Sequence, residues 1–153
     1  TLAVVGYTGS GKSTLANRVP RLYGVQAANC APYYAAFKAG VEELVPMTIA
    51  TTIAEGIASS KPTRVREVLR AVRGSGGRIM AVTEEEIVSA LGALARQGLY
   101  VEPTSAAAAA GLRQLLRDRA IAPDETTVLV LTGSGLKASE KIGQLLKVDA
   151  RAE

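Results

Sequence analysis

An alternation constrains this chain more than any single residue does. Short apolar runs stand at Leu2 to Val5, Leu22 to Gln26, Ile79 to Val82, Tyr100 to Val101 and Thr127 to Leu131. Each is followed by a stretch with helical rhythm. Strand then helix, repeated, predicts parallel strands joined by helical crossovers. The expected fold class is α/β: a three-layer αβα sandwich around a mainly parallel sheet of about five strands. A single domain is expected over residues 1–153, because a chain of this length carries one core. Within it, residues 1–19 read as one strand-loop-helix unit and residues 20–153 as the remaining scaffold.

The helices carry their own signals. After Pro62, the residues Val65, Val68, Leu69 and Val72 share one helical face. Pro62 marks the start and Gly74 the end. The polar side holds Arg64, Arg66, Arg70 and Arg73, which form either a basic surface for phosphate or RNA or simply a solvated face. Thr83 and Glu86 are spaced as a capping box, with Glu84 and Glu85 where a helix dipole favours negative charge. Gly98 is a natural stop, since the left-handed conformation that ends helices costs glycine little. The run Ala106 to Ala110 predicts a helix packed closely on a sheet, and Leu112, Leu115 and Leu116 extend it. A last helix carries Ile142, Leu145 and Leu146. Leu44 to Lys61 breaks the alternation and is long for a connection in a compact domain, so it is a candidate functional or covering segment.

Composition removes several chemistries. The chain has 48% hydrophobic and 21% charged residues, an ordinary globular balance. It has no histidine, which excludes Ser-His-Asp and Cys-His catalysis and most zinc sites. With no tryptophan and one phenylalanine, base stacking is not expected, and no specific nucleic acid partner is assigned. The single cysteine, Cys30, fits a reducing compartment and a small buried hydrophobe rather than a reactive thiol. No apolar run approaches the roughly 20 residues that span a membrane, and no signal peptide is evident, so a cytoplasmic protein is expected. The net charge of +4 favours acidic ligands such as phosphates.

A glycine loop gives that charge a location. Gly6-Tyr7-Thr8-Gly9-Ser10-Gly11-Lys12-Ser13 fits G-x-x-x-x-G-K-[ST] at every fixed position, between a predicted strand and a predicted helix. Glycines let successive N–H groups turn inward as an anion nest, and the helix N-terminus adds partial positive charge. The phosphate-binding candidates are Gly6, Thr8, Gly9, Ser10, Gly11, Lys12, Ser13 and Thr14. Lys12 would reach β- and γ-phosphates, and Ser13 would hold Mg²⁺ with ATP or GTP. The alternative is an inert glycine turn.

Residues Val4 to Thr8 and Gly11 to Arg18 resemble the first loop of translational GTPases of the HflX kind. The resemblance covers about 17 residues. It implies nucleotide binding without efficient hydrolysis, because the chain has neither a D-x-x-G nor an N-K-x-D motif. Its aspartates, Asp118, Asp124 and Asp149, close no apolar strand, and Thr127 to Leu131 ends in Thr132.

From about Pro20 onward another family is resembled. The segments Leu22 to Ala27, Thr52 to Ile57, Ser75 to Gly77, Val82 to Ile87, Glu102 to Ala106 and Leu131 to Lys137 occur in the order found in the C-terminal part of threonine synthase. That enzyme is a pyridoxal-phosphate enzyme of fold type II. The resemblance implies a parallel sheet flanked by helices, the cofactor-carrying large domain. It also implies that Thr132, with Gly133 and Ser134, binds pyridoxal phosphate, Thr132 at the pyridine nitrogen. By position, Thr132 to Gly135 would lie at the C-terminal end of a strand, where open α/β sheets bind ligands, or would be a plain strand-to-helix turn.

Two departures go with this match. The family's Schiff-base lysine and small domain belong to a region upstream of the resembled part. Its own phosphate loop stands where this chain has Gly6 to Ser13. The two resemblances together imply an engineered or recombined chimera, with a natural gene as the less simple alternative. Three functional expectations follow: a polyphosphate-binding module, a cofactor-binding piece of a threonine-synthase-like enzyme in which Lys12, beside the phosphate site, could form an adventitious imine, or a folded scaffold without activity. None includes threonine synthesis. Without a small domain, the apolar segment Leu44 to Ile57 is expected to promote homo-oligomers.

Overall fold

The computed structural model describes residues 20–122 and 124–147, and the backbone of Gly6–Tyr7. Its centre is a parallel pair, β2 (Tyr23–Ala27) beside β3 (Arg78–Val82), paired from Tyr23↔Arg78 to Ala27↔Val82. The first strand in the chain, β1 (Gly6–Tyr7), pairs antiparallel with β4 (Thr126–Thr127) in a separate ladder.

Strand periodicity divides the side chains of the central pair between two cores. Tyr23, Val25, Ala27, Met80 and Val82 join one cluster with α3 (Glu84–Arg96), α4 (Pro103–Arg117) and α5 (Ser139–Leu146). Leu22 and Ile79 join the other with Ala36 of α1 (Pro32–Lys38) and Leu69 and Val72 of α2 (Val65–Gly74). Helices therefore cover both faces, as the alternation predicts.

The sheet is smaller than expected. Among the described residues two parallel strands are paired, not about five. Tyr100 to Val101 contributes a single antiparallel bridge, Val101 to Ser134. Of the Thr127 to Leu131 run, only Thr127 is in a ladder, and that ladder is antiparallel. An apolar run states that a segment wants burial. A strand also needs a neighbour's edge for its backbone groups, and the run does not specify one. Leu2 to Val5 lies outside the described residues.

Local helix signals fared better. Thr83 caps α3: its Oγ1 accepts from Glu86 N–H at 3.2 Å, and Glu86 Oε2 accepts from Thr83 N–H at 3.0 Å. Gly98 has the expected left-handed φ of 80°. Ala106 to Ala110 are all buried, and a Cβ on Gly111 would stand 2.4 Å from Val25 Cγ2, so α4 does lie close on the sheet. The start at Pro62 is corrected. Arg64 has φ 57°, outside the right-handed helical region, and α2 begins only at Val65.

The long connection divides into two parts. Leu44 and Ile49 are exposed, whereas Thr52, Ala54 and Ile57 are buried. Ile53 N–H donates to Glu84 Oε2 at 2.8 Å, and Gly56 N–H donates to Thr104 Oγ1 at 3.1 Å. These bonds fasten a 3-10 turn, Glu55–Ile57, onto the N-terminal ends of α3 and α4.

Candidate functional site: a hydroxyl-lined crevice

The first turn of α4 organises the site. Pro103 opens the helix, where its missing N–H is no loss. Thr104 and Ser105 then present hydroxyls to two different segments. Thr104 holds the Glu55–Ile57 turn through Gly56. Ser105 holds Gly133: its Oγ accepts from Gly133 N–H at 2.9 Å and donates to Gly133 O at 3.3 Å.

Further bonds sew the Thr132 to Gly135 segment onto the residues that precede α4. Glu102 N–H donates to Gly133 O at 3.1 Å, and Gly135 N–H donates to Tyr100 O at 3.0 Å. Ser134 turns the chain locally, its Oγ accepting from Leu136 N–H at 3.3 Å. Gly133 approaches the Glu102 side chain closely: a Cβ there would stand 2.0 Å from Glu102 Oε1, so a side chain at 133 would have to displace that carboxylate.

Between these segments lies a narrow crevice lined by Val25, Ile57, Thr104, Ser105, Val130 and Thr132, with Ala107 and Ala108. Its space is about 10 Å³, enough for about one water. Any ring-sized ligand therefore stands outside it, where the Thr132 side chain is exposed. The Thr132 hydroxyl has no hydrogen-bond partner among the described residues, so it is available to a ligand. The lining is apolar or neutral, and none of it is a lysine. This donor set suits a neutral heteroaromatic nitrogen better than an anion, which would call for guanidinium, ammonium or clustered N–H groups.

The structure brings together the predicted residues Thr132, Gly133 and Ser134, with the turn geometry given above. The predicted phosphate ligands Thr8, Gly9, Ser10, Gly11, Lys12, Ser13 and Thr14 lie outside the described residues. Of Gly6 only the backbone is described, and it pairs with Thr127. Three of the four arginines predicted for the basic face of α2 have partners in the structure, two of them in solvent-exposed ion pairs. Arg70 and Arg66 pair with Glu42, Arg66 also with Glu43, and Arg73 donates to Val41 O at 2.9 Å while its guanidinium lies over the Phe37 ring. The Arg70 hydrogen bond holds the Glu42 carboxyl below its ordinary range. Cys30 is buried as expected, and burial pushes its thiol up, away from the reactive thiolate.

Sequence reasoning missed Ser105, Thr104 and Glu84. The Glu102-to-Ala106 segment stood out as a motif, but nothing local said which hydroxyl would meet which loop. Glu84 reads as a dipole residue at a helix start. In the fold, its Oε2 also anchors Ile53, and its Oε1 is buried without a partner among the described residues. A separate, open hollow of about 520 Å³ runs along β3 between Lys38 and Asp118, and it contains none of the predicted residues.

The model of the family described as "pyridoxal-phosphate dependent enzyme" matches residues 5–133. The chain is 40% identical over 122 residues to a threonine synthase of Methanocaldococcus jannaschii, covering 79% of this chain and 30% of that protein. It is 38% identical over 129 residues to a threonine synthase of Methanosarcina acetivorans, covering 84% and 32%. The chain thus spans about a third of the length of these relatives. Among solved structures, threonine synthase from Escherichia coli superposes with a TM-score of 0.63 over 86% of this chain and 30% of that chain, at 20% identity. At that identity the likeness speaks to the fold alone. No helix among the described residues is long and apolar enough to cross a membrane.

Proposed function

This chain belongs to the pyridoxal-phosphate dependent enzyme family, and on that premise we propose that it is a cofactor-binding lobe in which the Thr132 hydroxyl meets the pyridine nitrogen. One observation carries the proposal. The exposed Thr132 hydroxyl, unpartnered among the described residues, stands at a neutral crevice inside the stretch that the family model matches. A hydroxyl is both donor and acceptor, so it can serve a ring nitrogen without forcing a charge on it. Bound pyridoxal phosphate supplies an electron sink for carbanions. Thr132, at the crevice, would orient the ring from outside it, and no residue there would hold the aldehyde. The similarity to threonine synthases makes β/γ-replacement on an amino acid the chemistry to expect of a longer chain with a lysine and a closing domain.

The test uses a probe that cannot react with surface lysines: 4′-deoxypyridoxine 5′-phosphate, in which a methyl group replaces the aldehyde. Calorimetric titration is expected to show saturable binding. Thr132→Val keeps the side chain's shape and removes the hydroxyl, and is expected to weaken binding about tenfold. Equal affinities would remove Thr132 from the site.

A second reading rests on the Gly6 to Ser13 motif. We infer a phosphate nest there, on a P-loop unit grafted in place of the family's own phosphate loop. The nest takes either the cofactor's phosphate or, with Mg²⁺ on Ser13, the polyphosphate of ATP or GTP. Lys12→Ala is then expected to reduce Mg·ATP affinity at least about tenfold, since the ammonium supplies the charge-assisted contacts to phosphate. Identical titrations of both proteins would refute the nucleotide reading. Competition between ATP and the pyridoxine analogue would show whether one nest serves both.

A further inference from the structure

Resting on the reading that Thr132 meets the cofactor ring, we propose that Ser105 is the positioning residue that sets where the Thr132 hydroxyl stands. Thr132 is not in a ladder, and its hydroxyl has no partner among the described residues to hold it. Its place is therefore fixed by its neighbour, Gly133. The Ser105 hydroxyl binds both polar groups of Gly133, accepting from its N–H at 2.9 Å and donating to its carbonyl at 3.3 Å. A serine hydroxyl carries one proton and two lone pairs, so a single atom satisfies both contacts.

Ser105 is itself rigidly held. It is 1% exposed, in the first turn of a helix whose following alanines are buried against the sheet. The Gly133 carbonyl takes a second bond from Glu102 N–H at 3.1 Å. The Glu102 carboxylate occupies the space where a side chain at 133 would go. Gly133 is thus fixed on one side by a hydroxyl and on the other by packing. Of the two, only the hydroxyl addresses the N–H of the peptide that joins Thr132 to Gly133. Removing it takes away the hydrogen bond that fixes the tilt of that peptide, and with it the direction of the attached threonine.

Titrating 4′-deoxypyridoxine 5′-phosphate into the parent chain, Ser105→Ala, Thr132→Val and the double variant tests this. Ser105→Ala is expected to weaken binding about fivefold, and the double variant to bind no more weakly than Thr132→Val alone. The analogue's absorption band, shifted by the ring-nitrogen hydrogen bond, is expected to move towards its free position in Ser105→Ala. A merely structural serine would leave that band where it is. Multiplicative losses in the double variant, or parent-like binding by Ser105→Ala, would overturn the proposal. If Thr132→Val itself binds like the parent, the ring-nitrogen reading fails first and takes this proposal with it. Should Ser105→Ala not fold, Ser105→Cys, of similar size but a weak hydrogen-bonding group, enters the same cycle in its place.

Discussion

Replacing Gly77 with alanine is expected to cost at least about 3 kcal/mol of stability, read as a lowered urea midpoint. Gly77 sits just before β3, where the chain passes Leu22 on its way into β2. A Cβ at 77 would stand 1.8 Å from the Leu22 carbonyl oxygen and 2.9 Å from its nitrogen. Those are backbone atoms and cannot swing aside as a side-chain tip does. Leu22 is also tied down, its N–H donating to Ser75 Oγ at 2.9 Å. The clash therefore has to separate the two strands at their first pair, Tyr23↔Arg78. That pair opens the one parallel ladder among the described residues, so the strain reaches both cores. A midpoint like the parent's would show that the strands do not approach as described.

Ile87→Ala is expected to destabilise the chain by about 3–4 kcal/mol, within the range for emptying a well-packed isoleucine site. Ile87 is 0% exposed and lies in the first turns of α3, within the cluster that includes Val82, Leu91 and Ala106. The helix is held at its start by the Thr83 capping box and by Glu84 on Ile53. Its backbone cannot easily sink to fill the void, so the transfer loss and the cavity add. Total stabilities of domains this size run about 5–15 kcal/mol, so a loss of this size is easily resolved in a denaturant titration. A change below about 1 kcal/mol would mean that the site collapses or was never closely packed.

The Gly77 effect acts on the pairing of the two central strands, and the Ile87 effect on the join between α3, α4 and those strands. That join also builds the candidate site. The first turn of α4 carries Thr104 and Ser105, and the buried residues Ala106 to Ala110 follow directly. Variants that disturb the sheet are therefore expected to loosen the crevice as well. Binding changes count as evidence about Thr132 or Ser105 only in variants whose urea midpoint stays close to the parent's.

The functional residues differ in how legible they were. Thr132, Gly133 and Ser134 were found through a resemblance, and the structure adds a physical setting: exposure for Thr132, a close approach at Gly133, a local turn at Ser134. Ser105 and Thr104 were visible only as members of a motif. Their partners are 28 residues later and 48 residues earlier in the chain, and no spacing rule spans such a gap. The arginines of α2 were legible as a polar face. That Glu42 and Glu43 would take two of them required knowing where the loop that leaves α1 begins its path.

The sequence by itself determined what depends on neighbours within a turn or two. It determined the capping box at Thr83, the stop at Gly98, the apolar face of α2, and the run of small residues in α4. These follow from hydrogen bonds and side-chain spacing inside one element, and they are written out in order along the chain. Only the tertiary structure decided which apolar runs became paired strands, because a strand is completed by an edge supplied from elsewhere. It alone decided that Ser105 would close on Gly133 and leave Thr132 exposed at the crevice. That arrangement depends on α4 being pressed against Val25, a contact between residues far apart in the chain.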